Sequence, residues 1–160
     1  MTYRSSVTQG RLRLETGPHE HLGATMGAII DYLKEKGFHL EPQECVWVIA
    51  FDANLGVHTI VEIGRGTHTN VNIHLPTLLG AVVAAGCERF ILVHNHPTNS
   101  VAPSAADLEV TREVMEAANA TGLYFEDHII LAHDGRWVSL AQRGDMIPVD
   151  YLQHATAAHG

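Results

Sequence analysis

Two cysteines in 160 residues, Cys45 and Cys87, are too few to staple a fold, and neither belongs to a Cys-x-x-Cys pair. That excludes a disulfide framework, a thiolate zinc knuckle and the zinc deaminase signature. Both cysteines lie in apolar stretches and read as reduced, buried thiols of a cytoplasmic protein, although spacing alone leaves a bond between them open. No apolar run approaches the roughly 20 residues that cross a bilayer. Met1 to Arg13 is polar and lacks an apolar signal core, so neither membrane insertion nor export is expected. Basic residues are scarce and scattered: 10 Lys and Arg stand against 18 Asp and Glu, for a net charge of −8. That balance disfavours a nucleic-acid binder that works by neutralising phosphates. There is no Walker motif, no HExxH and no GxSxG elbow, and Gly64-Arg65-Gly66 lacks the spacing of a dinucleotide fingerprint.

What is present is a chain with 46% hydrophobic residues, long enough for one domain with a substantial core. No internal repeat or low-complexity segment divides it. Residues 1–18 read as an N-terminal arm, 19–149 as the domain and 150–160 as a C-terminal tail. Leu22, Met26, Ile29, Ile30 and Leu33 recur at helical spacing before Gly37. Cys45–Asp52 and Val57–Ile63 flank the turn Ala53-Asn54-Leu55-Gly56 and predict a hairpin. Pro76 opens a helix through Leu78, Leu79, Val82 and Val83. Phe90–Val93 is a short strand, and Ser104 starts a helix that turns Leu108, Met115 and Ala118 inward and closes at Gly122. Ile129–Ala132 and Trp137–Leu140 flank the turn His133-Asp134-Gly135. The sum is an α/β (α+β) domain, a mixed β-sheet flanked by helices.

The strongest chemical signal is His94-Asn95-His96-Pro97 followed by Pro103-Ser104-Ala105-Ala106-Asp107. Side chains two apart on an extended chain point the same way, so His94 and His96 can share a metal. Asp107 lies three residues into the next helix and reaches the strand end if the loop folds back. Two nitrogens and one oxygen leave a fourth position for water, as in catalytic zinc sites. The same residues have plainer readings. Ser104 is a natural helix N-cap, and Asp107 three residues later completes a capping-box-like pair. Asp127-His128 reads as a pair that orients a ligand or as the entry of a strand. His58, His68 and His74 read as surface or sheet-rim residues, His19 and His21 as solvated, and His133 as part of a turn.

The segment HNHPTNSVAPSAAD resembles the JAMM (JAB, MPN) metalloprotease signature, His-x-His-Pro-x6-Ser-x2-Asp, at every position. Over residues 40–145 the chain is similar to the RadC-like branch, which also ends in a segment like Asp127-His128-Ile129-Ile130 followed by Asp134-Gly135-Arg136-Trp137-Val138-Ser139-Leu140 and Arg143-Gly144. The resemblance implies a JAB/MPN, cytidine-deaminase-like architecture. It implies one zinc ion on His94, His96 and Asp107, with Ser104 helping to stabilise the oxyanion. A glutamate before the first apolar strand activates the water in that family; Glu44 takes the role, with Glu62 the competitor. The implied activity is hydrolysis of a peptide or isopeptide bond in a peptide or protein substrate, including the C-terminus of a ubiquitin-like tail. Two other readings stand beside it: a non-catalytic JAB-like module that binds a partner protein, and an accessory of DNA repair. The helix-hairpin-helix module common in RadC-like proteins has no counterpart in residues 1–40, and Thr98-Asn99-Ser100-Val101 replaces a commoner Gly- and Pro-containing stretch. Assembly into a homo-oligomer is left open.

Overall fold

A computed structural model describes residues 3–8, 11–21, 26–54, 56–66 and 73–146, with side chains from residue 26 onward. Strands β3 (Glu44–Phe51) and β4 (Gly56–Gly66) form the expected hairpin. β5 (Arg89–His96) runs antiparallel to β3 on its other side, β6 (Tyr124–Ala132) runs parallel to β5, and the short β7 (Trp137–Ser139) closes that edge. β2 (Arg11–His21) and β1 (Tyr3–Thr8) extend the sheet beyond β4, giving the order β1-β2-β4-β3-β5-β6-β7. The segment read as an arm therefore contains β1 and most of β2. The tail, the domain end near residue 149, Leu22, Leu55 and His68 lie outside the described residues.

β3 is buried from end to end, as its unbroken apolar run requires, and strand alternation sends its side chains to two separate cores. Cys45, Trp47, Ile49 and Phe51, with Ile91 and Val93 of β5, pack against Ile29, Ile30 and Leu33 of α1 (Met26–Glu35) and Phe38 of the following 3-10 turn. Val46, Val48 and Ala50, with Phe90 and Leu92, pack against Leu78 and Val82 of α2 (Leu75–Ala84) and Val114 and Ala118 of α3 (Ala105–Thr121). The architecture is three layers, helix on sheet on helix. Cys45 and Cys87 are both unpaired and belong to opposite cores, so the sheet separates them.

Three elements differ from the sequence expectation. β5 continues past Val93 because His94, Asn95 and His96 keep pairing with Ile130, Leu131 and Ala132 of β6. β6 begins five residues earlier than its apolar run and takes in Asp127 and His128 as strand residues. A register shift between Phe90 and Ile91 marks a bulge around Glu126. The extra residue puts both Phe125, stacked on Phe90, and His128, opposite Leu92, on the α3 side of the sheet. In α3 the inward face is Asp107, Thr111, Val114 and Ala118. Leu108 is 39% exposed and Met115 only partly buried, so the expectation that they face inward was wrong. Two polar residues hold the positions that apolarity alone assigns to Leu108.

Ile91 is fully buried in the central strand. Ile91→Ala is expected to cost about 2–5 kcal/mol in urea denaturation; a loss below about 1 kcal/mol would mean that this core is loosely packed.

Candidate metal centre

Alternation decides which side chains meet. His94 and His96 continue the Phe90 and Leu92 row, so they face α2 and α3 at the C-terminal end of β5. β3 is antiparallel to β5, which brings its first residue, Glu44, to the same end. α3 follows β5 directly and returns Asp107 to it. In open α/β sheets the C-terminal strand end is where sites form, because loops and helix starts converge there.

Asp107 bridges the two imidazoles. Its Oδ1 lies 2.8 Å from His94 Nδ1 and its Oδ2 3.1 Å from His96 Nε2. His94 Nε2 lies 3.5 Å from Glu44 Oε2. The two rings meet edge-on at 5.1 Å, and all four residues are buried. Ligand atoms of Glu44, His94 and His96 all lie within 4.8 Å of one another.

Asp107 and His96 are held from behind. Ser104 Oγ accepts from the Asp107 N–H at 3.0 Å, and the Ser104 N–H donates to Asp107 Oδ2 at 2.8 Å, closing a capping box. The cap reading and the site reading of Asp107 thus hold at once. His96 Nδ1 lies 3.0 Å from the Ser100 carbonyl, which can only accept. Nδ1 therefore carries a hydrogen, and the ring is oriented with Nε2 toward Asp107. The Thr111 hydroxyl donates to the Asp107 carbonyl at 2.8 Å and is itself 2.7 Å from His128 Nδ1. With its one proton spent, Thr111 Oγ1 accepts from His128. Asp127 goes elsewhere: it accepts from Ser139 Oγ at 2.5 Å and the Ala141 N–H at 3.1 Å, fixing β7 to the start of α4 (Leu140–Arg143).

The electrostatics follow from this packing. Burial pushes the His94 imidazole down, but hydrogen bonds to Asp107 and Glu44 outweigh it and raise it to about 9. Burial pushes the Asp107 carboxyl up, but the two histidines outweigh it and hold Asp107 well below the usual carboxylate range. The bond to His94 likewise holds Glu44 low, against a smaller effect of burial. Burial keeps His128 neutral, lowered to about 3.

The donor set fits a divalent ion. His94 Nε2 is buried and only loosely paired, 3.5 Å from Glu44 Oε2, so a cation that displaces its proton meets little competition for this nitrogen. Ligands 2.0–2.1 Å from a tetrahedral ion sit about 3.3 Å apart, close to the 2.8 and 3.1 Å at which Asp107 stands from the two imidazoles. Imidazole and carboxylate donors suit zinc.

Of the residues singled out in the sequence, the structure brings Glu44, His94, His96 and Asp107 together. Ser104 is exposed at the helix start and joins the cluster through Asp107. Glu62 is on the opposite face, in the row of Ile60, where Arg65 binds its carboxylate at 2.5 Å. His58 pairs with Asp52, His74 bonds Thr77 and His133 is exposed at the β6–β7 turn. The loop 97–103 borders the cluster; residues 67–72 of the loop 64–74 are outside the described residues. The sequence reading missed Ser100 and Thr111. Thr111 had a signal, since it follows Asp107 by four and shares its helix face; Ser100 acts through its backbone and had none.

The RadC-like JAB domain family matches residues 24–145. A UPF0758 protein of Caldanaerobacter subterraneus subsp. tengcongensis is 30% identical over 142 residues, covering 88% of this chain and 60% of that protein. A UPF0758 protein of Porphyromonas gingivalis is 30% identical over 103 residues, covering 64% and 45%. One of Geobacter sulfurreducens is 32% identical over 102 residues, covering 64% and 44%. The chain thus spans about half the length of these curated relatives.

In the metal-free protein, His94 is raised from 6.5 to about 9. Its contribution to stability is full below pH 6.5 and lost as pH rises through 9. Asp107, lowered from 3.8, contributes above that value and loses it on acidification. Thermal unfolding of the chelated protein should therefore weaken between pH 7 and pH 9.5, and His94→Gln should remove that slope. A slope unchanged in His94→Gln would place its origin in another group.

Proposed function

This chain belongs to the RadC-like JAB domain family, and we propose that it is a metal-dependent hydrolase of peptide or isopeptide bonds. The observation that carries this is the buried cluster itself: two imidazoles bridged by one carboxylate, with a second carboxylate 3.5 Å from His94 Nε2. A scaffold that only binds a partner has no need to bury so many ionisable groups together.

His94, His96 and Asp107 would hold one zinc ion. When bound, such an ion polarises the scissile carbonyl and brings the pKa of the attacking water toward 7. Glu44 is a carboxylate at neutral pH, because His94 holds it low. It takes a proton from the attacking water as the oxygen joins the carbonyl carbon. It then delivers that proton to the nitrogen as the C–N bond breaks, so the products are a carboxylate and an amine. Ser104 Oγ accepts from the Asp107 N–H and retains its own proton, which can be donated to the developing oxyanion. The net charge of −8 gives a nucleic-acid role no support. The substrate class proposed is a protein tail, including the C-terminus of a ubiquitin-like protein joined to a lysine.

The test is release of primary amine from linear peptides and from lysine-linked isopeptides by the zinc-loaded protein. Metal-dependent release is expected, falling about 10²–10⁴-fold in Glu44→Gln. Release untouched by that substitution would move the base to another group. No release from either class, with zinc bound, would favour the reading as a partner-binding module.

A further inference from the structure

Asn95 stands between the two histidines, and alternation turns its side chain to the opposite face of β5. It is fully buried. Its Oδ1 accepts from the Cys45 N–H at 2.7 Å, and its Nδ2 donates to the carbonyls of Glu41 at 3.1 Å and Gln43 at 2.9 Å. These three backbone groups bracket Glu44. The network also fixes the amide orientation, since a flipped amide would set donor against donor and acceptor against acceptors.

The β3–β5 ladder stops with Val46 opposite His94. Beyond it, the β5 main chain pairs with β6 through Asn95 and His96. Glu44 therefore lies past the last rung, and its main-chain register partner is Gly66 of β4. The Asn95 side chain supplies on the β5 side the bonds that the ladder no longer makes. We propose that Asn95 is the positioning residue for Glu44, locking the backbone around that carboxylate to the same strand that carries His94 and His96. This rests on the reading of Glu44 as the base. It explains why a buried amide separates the two histidines: distance and angle between Glu44 and the pair are set by one rigid strand, with no loop between them. Asn95 touches no reacting atom, so its effect is carried through Glu44.

Cobalt(II) is the probe, read by its visible absorption, in the parent, Asn95→Ala, Glu44→Gln and Ile91→Ala as a core-destabilised control. Asn95→Ala should bind cobalt within about threefold of the parent, because no imidazole or Asp107 is touched. The pH dependence of its spectrum should depart from the parent in the same direction as Glu44→Gln, whereas Ile91→Ala keeps the parent profile. Amide exchange at Glu44 and Cys45 should rise at least about tenfold in Asn95→Ala, with Val48 to Ala50 unchanged. If Glu44→Gln departs and Asn95→Ala follows the parent, the proposal is overturned while the reading of Glu44 stands. If Glu44→Gln itself follows the parent, that reading falls and the proposal with it. Should the alanine variant fail to fold, Asn95→Asp keeps the acceptor for Cys45 and loses both donated bonds. It should behave like Glu44→Gln in pH profile, and parent behaviour there would equally overturn the proposal.

Discussion

One carboxylate organises this molecule's functional end. Asp107 joins His94 to His96, closes the capping box of α3 with Ser104, and offers its own carbonyl to Thr111. Its two oxygens thus tie the end of one strand to the start of the next helix. The fold makes the meeting obligatory, because β5 and α3 are consecutive and the parallel partner β6 requires a crossover that returns over the same sheet face. Ser100 on His96, and His128 through Thr111, back the cluster from two further directions. Such outer partners fix ring orientation and leave the inner nitrogens for a ligand.

Burying this much polarity is costly unless it is paired, and the structure distributes the cost. Attraction between His94 and two carboxylates outweighs the burial of the ring, while His128, with no carboxylate in contact, is held neutral. α3 gives up part of its apolar packing to the same end: Asp107 and Thr111 occupy the inward stripe, and Leu108 faces outward. Polar contacts have overridden the hydrophobic pattern at the positions where the cluster is built.

That override also marks where sequence reasoning succeeds and fails. The hairpin of β3 and β4 was legible because apolar runs and turn residues agree. That His94 and His96 share a face was legible because the strand period is fixed, whereas the approach of Asp107 depended on how residues 97–103 fold back. Glu44 was separated from Glu62 by alternation and family position, and the two do lie on opposite faces, Glu62 against Arg65. The first half of β6 was not legible beyond a possible entry at Asp127-His128, since Glu126, Asp127 and His128 are polar and the bulge breaks the period of two. The inward face of α3 was misread because periodicity counts apolar residues, and here polar ones are inside. Asn95 could not be read at all: its partners are backbone atoms around residues 41–45, and no side-chain pattern announces them.

Hydrolysis by this chain requires the cluster to be a metal centre and not merely a buried ion-pair network. The most direct measurement is elemental analysis of the purified protein beside a His94→Ala/His96→Ala double variant, each before and after incubation with zinc and removal of the excess. About one zinc per parent chain and none in the folded variant is the expected result. A parent that is empty as purified and takes up no zinc would contradict it, and would make the buried histidines and carboxylates a structural network with no metal to hold.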